Sequence, residues 1–331
     1  MKSHFVLVLA GLALGIAVTP LAHATQWRAA VGAQSSDMGH QAMAFLPAEI
    51  WIHAGDSITW NFASAEVHTL SLLAPGSVRP PFFIGCPPGP PPGVTPTGSS
   101  FTGTNCVNTG PMVGGTYTVR FPTAGNYKVV CLFHEGMTGV VHVLPATRSL
   151  PHAQAFYDGQ ATRERNNLLA VGDTDGDVDR LLVTSSTGYG HQVLAGAGKI
   201  VSTPGGQSTL SIMRFMHPTI HVHVGGTVEW GNDDPVTPHT ITFGTEPVDD
   251  VAPSPNVTID SDGSGHATIF SPADNVHSGL ILASALERPG TPQAAVGNTR
   301  FRVTFKHAGV YSYICALHDD LGMEGTVIVD P

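Results

Sequence analysis

Two short stretches of the chain each combine a thiol, an imidazole and a thioether. They are Cys131, His134 and Met137 in the first stretch, and Cys315, His318 and Met323 in the second. Thiolate and thioether sulfur together with imidazole select copper, and two His, one Cys and a weak axial Met form the ligand set of a blue copper site. Each stretch needs one more His, for which His68 and His239, each followed by Thr, are the candidates. The sequence therefore predicts two mononuclear copper sites.

Taken singly, each of these residue types has a plainer interpretation. A lone Cys in a strand is usually a small core residue, a Met is usually core filler, and a His in a turn is often a surface residue. The recurrence of the whole set in two places favours ligands over coincidence. Zinc is the rival metal, but structural zinc sites use several Cys or His in paired spacings, and neither stretch has a second Cys close by.

An internal repeat places the two stretches at equivalent points of one duplicated unit. Residues 43–60 (MAFLPAEIWIHAGDSITW) align without a gap with residues 213–230 (MRFMHPTIHVHVGGTVEW), and residues 117–127 (YTVRFPTAGNY) align with residues 301–311 (FRVTFKHAGVY). The second pair of segments leads directly into the two Cys stretches. Alternation of apolar and polar residues around glycine turns predicts half-buried strands. Each Cys would then face the interior at the end of its strand.

Short strands separated by Gly and Pro turns favour an all-β fold, with a Greek-key sandwich or small barrel for each copy of the unit. We predict two such domains, residues 25–146 and residues 188–331. The linker between them, residues 147–187, contains one predicted helix, which would begin after a Ser149 cap and end at Gly172.

The N-terminus has the pattern of an export signal. Lys2 is followed by an apolar run and an Ala-His-Ala motif, so residues 1–24 are predicted to be a Sec signal peptide with cleavage near Ala24. No later stretch reaches the roughly 20 apolar residues that a membrane-spanning helix needs. We therefore expect a periplasmic or secreted protein without a membrane span. The formal net charge of -10 argues against nucleic acid as a partner, because phosphates require basic clusters.

The four cysteines are Cys86, Cys106, Cys131 and Cys315. Four cysteines allow three disulfide connectivities, and the sequence alone does not choose among them. If the last two bind metal as thiolates, Cys86 and Cys106 remain as a pair in an oxidising compartment, where disulfides persist. We favour this pairing.

Each copy of the unit resembles a cupredoxin, the fold of plastocyanin, amicyanin and azurin. The Cys-x2-His-x2-Met spacing of the first stretch is similar to the ligand loop of amicyanin, and the Cys-x2-His-x4-Met spacing of the second is similar to that of plastocyanin. The resemblance implies that His68 and His239 complete the two sites from a separate loop. It also implies one type 1 copper in each domain, one-electron transfer, and redox partner proteins.

Two alternative functions remain open. His221 and His223 share one face of a predicted strand, and paired His are a feature of multicopper oxidases, so the chain could be a copper-dependent oxidoreductase related to those enzymes or to nitrite reductases, with an additional His-ligated copper. In such enzymes the residue beside the blue-copper Cys is itself a His. Here the neighbours of the two cysteines are Val130, Leu132, Ile314 and Ala316. This difference favours an electron carrier over an enzyme. The other alternative is copper storage or delivery.

Overall fold

A computed structural model describes residues 24–81, 84–86, 93–170, 191–248, 251–283 and 299–331. The first ten strands are β1 (Gln26–Gln34), β2 (His40–Leu46), β3 (Glu49–His53), β4 (Ser57–Phe62), β5 (Ser71–Leu72), β6 (Ser99–Ser100), β7 (Val107–Asn108), β8 (Thr116–Arg120), β9 (Gly125–Val130) and β10 (Thr138–Leu144). They form the N-terminal domain, and the helix α1 (Gln154–Ala170) follows it.

The C-terminal domain is built from β11 (Gln192–Thr203), β12 (Gly206–Met216), β13 (Thr219–His223), β14 (Thr227–Asp233), β15 (Thr242–Phe243), β16 (Thr258–Ile259), β17 (Gly265–Ile269), β18 (Val276–His277), β19 (Arg300–Phe305), β20 (Gly309–Ile314) and β21 (Glu324–Asp330). A single 3-10 turn, Asp319–Leu321, lies between β20 and β21. The predicted all-β class is confirmed.

The two domains repeat one strand topology. In the N-terminal domain, the order β2-β1-β4-β8-β6 packs against a second sheet of order β3-β10-β9-β5-β7. In the C-terminal domain, the order β12-β11-β14-β19-β17 corresponds to the first sheet, with the additional strand β16 beyond β17, and β13-β21-β20-β15-β18 corresponds to the second. Each domain is therefore a two-sheet sandwich, and the sequence repeat is a duplication of the whole fold.

One continuous sheet joins the domains. Strand β12 pairs antiparallel with β2, with Thr209 opposite Met43 and Ile212 opposite His40. This pairing fuses one sheet of each sandwich into a single sheet of eleven strands. The pairing also covers the outer edge of each sheet, which would otherwise present unpaired backbone groups. The two domains are thus held by backbone hydrogen bonds as well as by side-chain packing.

The core of each sandwich consists of the apolar residues that alternate along the repeated strands. Ile50, Ile52 and Ile58 are at most 2% exposed in the N-terminal domain, as are the equivalent tryptophans, Trp60 and Trp230. The period of two in the sequence thus corresponds to inward-facing side chains. Burial of this apolar set, together with strand pairing, fixes the ends of β9 and β20, from which the two Cys stretches leave the sheets.

The helix in the linker is shorter than predicted at its start. It begins at Gln154 instead of just after Ser149. The Gln154 side chain accepts a hydrogen bond from the Arg28 backbone N–H (2.9 Å), so the first helical turn is fixed by contact with β1. On the helix face towards the sandwich, the hydroxyl of the buried Tyr157 accepts a hydrogen bond from the backbone N–H of Trp51 at 3.1 Å. The predicted end at Gly172 lies outside the described residues, as do residues 1–23 of the predicted signal peptide.

The predicted Cys86–Cys106 disulfide is present. Its Cα atoms are 5.6 Å apart, within the usual range for a disulfide. Among the described residues, none of the helices has the length and apolar character required to cross a bilayer.

Candidate metal centres

Each candidate site draws its residues from the same two places in the fold. The Cys stretch leaves the end of β9 or β20, and the upstream His lies in the loop after β4 or β14. That upstream His forms an isolated β-bridge, His68 with Met112 in one domain and His239 with Ile281 in the other. The backbone of each loop is thus anchored to the sandwich, so the sheets determine where the His and Cys donors meet.

In the N-terminal domain the predicted donors converge. The Nδ1 atoms of His68 and His134 are 3.2 Å apart, and the Cys131 Sγ lies 3.6 Å from the His134 Nδ1. The three donor atoms lie within 4.8 Å of one another, and all three residues are buried. Ligands that are each about 2.0–2.3 Å from one ion have this mutual spacing.

The C-terminal domain repeats this geometry. The Nδ1 atoms of His239 and His318 are 3.1 Å apart. The Cys315 Sγ lies 3.4 Å from the His318 Nδ1 and 3.8 Å from the His239 Nδ1. These donors are also buried and within 4.8 Å of one another. The structure therefore brings together the His and Cys residues that the sequence assigned to each site.

Met137 and Met323, the predicted axial residues, close the two loops and are fully buried. The Cys131 N–H donates to the Met137 carbonyl at 3.1 Å, and the Cys315 N–H donates to the Met323 carbonyl at 3.0 Å. In both loops the Met N–H donates in turn to the carbonyl of the ligand His, at 3.1 Å. These bonds close both loops in the same way, although two residues separate the His from the Met in the first loop and four in the second.

A glycine in a β-bulge makes room for each upstream His. Gly32 and Gly196 lie at the register shifts in the β1–β2 and β11–β12 hairpins, and their φ angles are +71° and +79°. A Cβ atom on Gly32 would lie 2.6 Å from the His68 Nε2, and one on Gly196 would lie 2.1 Å from the His239 Nε2. Both the backbone conformation and the contact with the imidazole therefore require glycine.

The threonine after each upstream His connects the two loops of its site. The Thr69 N–H points at the Cys131 Sγ (3.4 Å), and the Thr69 hydroxyl accepts a hydrogen bond from the Leu132 N–H at 2.7 Å. Thr240 makes the same contacts to Cys315 (3.3 Å) and to the Ala316 N–H (2.7 Å). A backbone N–H directed at sulfur stabilises the thiolate form.

The electrostatics of both sites favour a thiolate. Burial alone would raise the pKa of the Cys131 and Cys315 thiols, but the neighbouring imidazoles outweigh burial and hold both pKa values well below the usual range. Burial alone would lower the pKa of the imidazoles, yet the thiolates and a nearby carboxylate raise the pKa of His134 to about 9 and that of His318 to about 10. Each site thus pairs its thiolate with a protonated imidazole, and a metal cation could take the place of that proton.

That carboxylate belongs to Glu66, which lies between the two sites and is 5% exposed. Its Oε1 is 3.3 Å from the His134 Nε2, and its Oε2 is 3.4 Å from the His318 Nε2. Burial would raise the pKa of Glu66, but the imidazoles of His318 and His134 bring the pKa well below its usual value. The carboxylate is therefore ionised in the interior, between one imidazole from each domain.

These donor sets fit copper. Two imidazole nitrogens that face each other at about 3.1 Å share at most one proton, so a metal ion is the natural occupant of the space between them and the sulfur. The combination of a soft thiolate, two imidazoles and the thioether of the Met whose backbone closes each loop matches copper better than zinc. Within the described part of the chain, these are the two clusters of three or more potential His, Cys or carboxylate ligands.

The other His pair considered from the sequence does not form such a cluster. His221 and His223 are exposed on β13, and the His221 Nδ1 is 3.3 Å from the Asp330 carboxylate. Sequence reasoning also missed contributors to the two sites. Gly32 and Gly196 lie outside the aligned segments. The residue two positions before the upstream His is Glu66 in one copy and Thr237 in the other, so the repeat does not mark Glu66 as a site residue.

Comparison with known proteins shows the family. The copper-binding plastocyanin/azurin family profile matches residues 32–144 and 201–330. No curated protein matches the chain. Among solved structures, oxidised plastocyanin from the fern Dryopteris crassirhizoma is 19% identical over 42% of this chain and 99% of its own, with a TM-score of 0.23.

Two further solved structures are similar over different shares of the chain. Auracyanin from Roseiflexus castenholzii is 21% identical over 37% of this chain and 97% of its own, with a TM-score of 0.26. A copper-containing nitrite reductase from Thermus scotoductus is 14% identical over 93% of this chain and 68% of its own, with a TM-score of 0.24. The two matches to the family profile cover most of the sequence, one in each domain, and on that ground the chain belongs to the plastocyanin/azurin family of copper-binding proteins as a tandem pair of cupredoxin domains.

Proposed function

We propose that this chain is an exported electron carrier that holds one type 1 copper in each domain. His68, Cys131, His134 and Met137 would bind the first ion, and His239, Cys315, His318 and Met323 would bind the second. The observation that carries the proposal is the repeated convergence of one buried thiol and two imidazole Nδ1 atoms, all within 4.8 Å. The mature chain would consist of domains at residues 25–146 and 188–331, joined by residues 147–187.

The chemistry of the residues supports electron transfer. Bound copper would supply a one-electron couple, and the chain would supply a site that changes little between the two oxidation states. The hydrogen-bonded loops, the bulge glycines and the buried thiols fix the donor atoms within the sandwiches. Little rearrangement is then needed when an electron arrives from, or leaves for, a redox partner protein.

The test is metal analysis of the purified mature chain together with visible absorption. We expect two coppers per chain and an intense band from the copper-thiolate bond. Rapid, reversible reduction of both ions by a one-electron donor would support an electron carrier. One copper per chain would refute one of the two proposed sites, and absence of the thiolate band would refute the type 1 assignment.

Storage or delivery predicts a different result in the same preparation. A delivery protein exchanges its metal readily with a chelator, whereas the buried donor sets favour retention. Copper lost to a competing chelator within minutes, with slow redox cycling, would favour delivery over electron transfer. The enzyme alternative requires a third copper per chain, and a His221→Ala, His223→Ala variant with unchanged metal content would count against it.

A further inference from the structure

The carboxylate of Glu66 bridges the two domains at the point where their metal sites face each other. Glu66 belongs to the N-terminal domain, and its two oxygens contact His134 of that domain and His318 of the other. The side-chain exposures of the three residues are 5% or less. The contact depends on the β2–β12 pairing, because that pairing fixes the position of the C-terminal domain.

The ligand loops of both domains are packed into this same junction. The Thr209 hydroxyl of β12 donates to the Gly136 carbonyl in the N-terminal loop at 3.1 Å. Arg214, also in β12, donates to the Leu321 carbonyl in the C-terminal loop and to the Asp37 carbonyl of the N-terminal domain, at 2.7 Å in both cases. Docking of the domains therefore fixes both loops around Glu66.

The contacts of the imidazole nitrogens indicate a specific role for the Glu66 carboxylate. In each site the Nδ1 atom faces the thiol, so an imidazole that binds metal there has its Nε2–H left to donate. The Nε2 atoms of His134 and His318 each lie against a different oxygen of Glu66. One side chain thus accepts from both rings and favours the tautomer with Nδ1 available to a metal at both sites.

The duplicated unit carries this residue once. The residue two positions before the upstream His is Glu66 in the N-terminal domain and Thr237 in the C-terminal domain. The Thr237 side chain carries no carboxylate, and its hydroxyl lies 3.4 Å from the Ser211 hydroxyl. A single carboxylate therefore serves two sites.

We propose that Glu66 is a positioning residue shared by both metal sites, through which the two domains act as one redox unit. The proposal rests on the proposed function, because it assumes copper in both sites. The buried negative charge favours the more positive oxidation state of each ion, so its removal should raise both reduction potentials. Loss of a residue that orients a ligand His should lower metal affinity about 10- to 100-fold, and it should do so at both sites.

The test uses the full mature chain with Glu66→Gln, which keeps the size of the side chain and removes its charge. Glu49→Gln is the matched control, because Glu49 also contacts a histidine Nε2, that of His142 at 2.8 Å, away from both sites. Each substitution is also made in Cys131→Ser and Cys315→Ser backgrounds, which leave one site each. Cu(I) affinity by chelator competition, the copper-thiolate band and the reduction potential are measured in every variant.

The decisive comparison is Glu66→Gln in the Cys131→Ser background, where the site in the domain of Glu66 is already lost. We expect a 10- to 100-fold lower affinity and a higher potential at the remaining C-terminal site, with no change from Glu49→Gln. Unchanged affinity and potential at that site would overturn the proposal. If Glu66→Gln does not fold, Glu66→Asp replaces it, because the shorter side chain cannot reach both rings; wild-type behaviour of both sites in that variant would equally overturn it.

Failure of this inference is distinguishable from failure of the proposed function. An unsubstituted chain without two copper-thiolate sites refutes the function itself. An unsubstituted chain with two such sites, whose C-terminal site is insensitive to Glu66→Gln, refutes the shared role of Glu66 alone.

Discussion

The N-terminal and C-terminal metal sites have nearly the same donor spacing, but the rings of their upstream histidines are held differently. The His68 Nε2 is 3.0 Å from the Ser64 hydroxyl, whereas the His239 Nε2 is buried without a hydrogen-bond partner among the described residues. The ligand loop of the C-terminal site also contains the 3-10 turn Asp319–Leu321. The bulge glycine, the threonine beside the sulfur and the backbone bonds that close the ligand loop are common to both sites, so we infer that they define the donor geometry.

A second difference lies on the sheets that support the sites. Thr59 and Thr118 are opposite each other on β4 and β8, with their hydroxyls 2.8 Å apart. At the equivalent positions of β14 and β19, Glu229 and Arg302 form a buried ion pair at 2.7 Å. The same fold thus accommodates a neutral or a charged pair at one place. Removal of one partner should lower the stability of the fold more at the charged pair than at the neutral pair.

The largest expected effect is on metal content and tests whether the sites are separable. Cys131→Ser should remove the N-terminal copper and its thiolate band, and Cys315→Ser should remove the C-terminal ones, because serine supplies no soft thiolate. Metal analysis and visible spectra of the two variants give the contribution of each site. Loss of both coppers from either single variant would show that the sites do not fill independently.

The supporting ion pair gives the next largest effect. Arg302→Thr should cost about 3–5 kcal/mol in the free energy of unfolding, because Glu229 is left buried with the more distant Arg300 at 3.8 Å. Urea unfolding measures the cost. The control is the double variant Glu229→Thr, Arg302→Thr, which copies the N-terminal pair and should recover most of the loss. A double variant as unstable as the single one would contradict this explanation.

Substitution of the bulge glycines tests what the two sites share. Gly32→Ala and Gly196→Ala should each cost about 1–3 kcal/mol, because an L-residue at positive φ is strained and the new Cβ displaces the upstream imidazole. Copper should be lost from the substituted domain alone. Gly55→Ala is a control, since its φ is +100° but nothing lies within 4 Å of the added Cβ. It should lower stability without loss of copper.

A smaller effect should distinguish the upstream histidines. Ser64→Ala removes the hydroxyl next to the His68 Nε2 and should cost about 0.5–1.5 kcal/mol. The thiolate band of the N-terminal site should shift, and that of the C-terminal site should not. The measurement is made in the Cys131→Ser and Cys315→Ser backgrounds, so that each band is seen alone. An equal shift at both sites would show that the effect is transmitted through the junction.

Acid should affect the ion pair that Arg302 also forms with Asp262, at 2.6 Å. Arg302 holds the pKa of the exposed Asp262 carboxyl well below its usual range. A carboxyl with a depressed pKa in the folded state stabilises the fold above its unfolded pKa of about 3.9, and this stabilisation is lost as the pH falls below that value. The stability of the wild-type chain should therefore fall more steeply below pH 4 than that of the Glu229→Thr, Arg302→Thr variant. If urea unfolding at a series of pH values showed the same fall in stability below pH 4 for both chains, this assignment would be contradicted.

The sequence predicted those parts of the structure that depend on local pattern or on repetition. Strand periodicity predicted the all-β sandwiches, and the doubled Cys stretches predicted the residues that converge at each site. The Cys86–Cys106 pairing was predicted because two cysteines were assigned to metal. These features are encoded by residues close in the chain or present in both copies.

The features that the sequence did not predict depend on how distant parts pack. The eleven-stranded sheet requires β2 and β12 to meet, and the hydrophobic pattern of either strand is compatible with a free edge. Glu66 acquires its contacts only after the domains dock. The start of α1 depends on the contact of Gln154 with Arg28 in β1, which no helix signal within the linker contains. In each case the deciding interaction is tertiary.

The continuous sheet has a consequence for how an ion could enter. All four histidines are buried, and the β2–β12 ladder joins the two sandwiches beside them. Because the domains cannot swing apart without breaking that ladder, uptake after maturation would have to pass through a transient opening of the ligand loops. Metal that binds before the two domains dock needs no such opening of the loops. The timing of metal supply relative to domain docking would therefore decide what fraction of the sites binds metal.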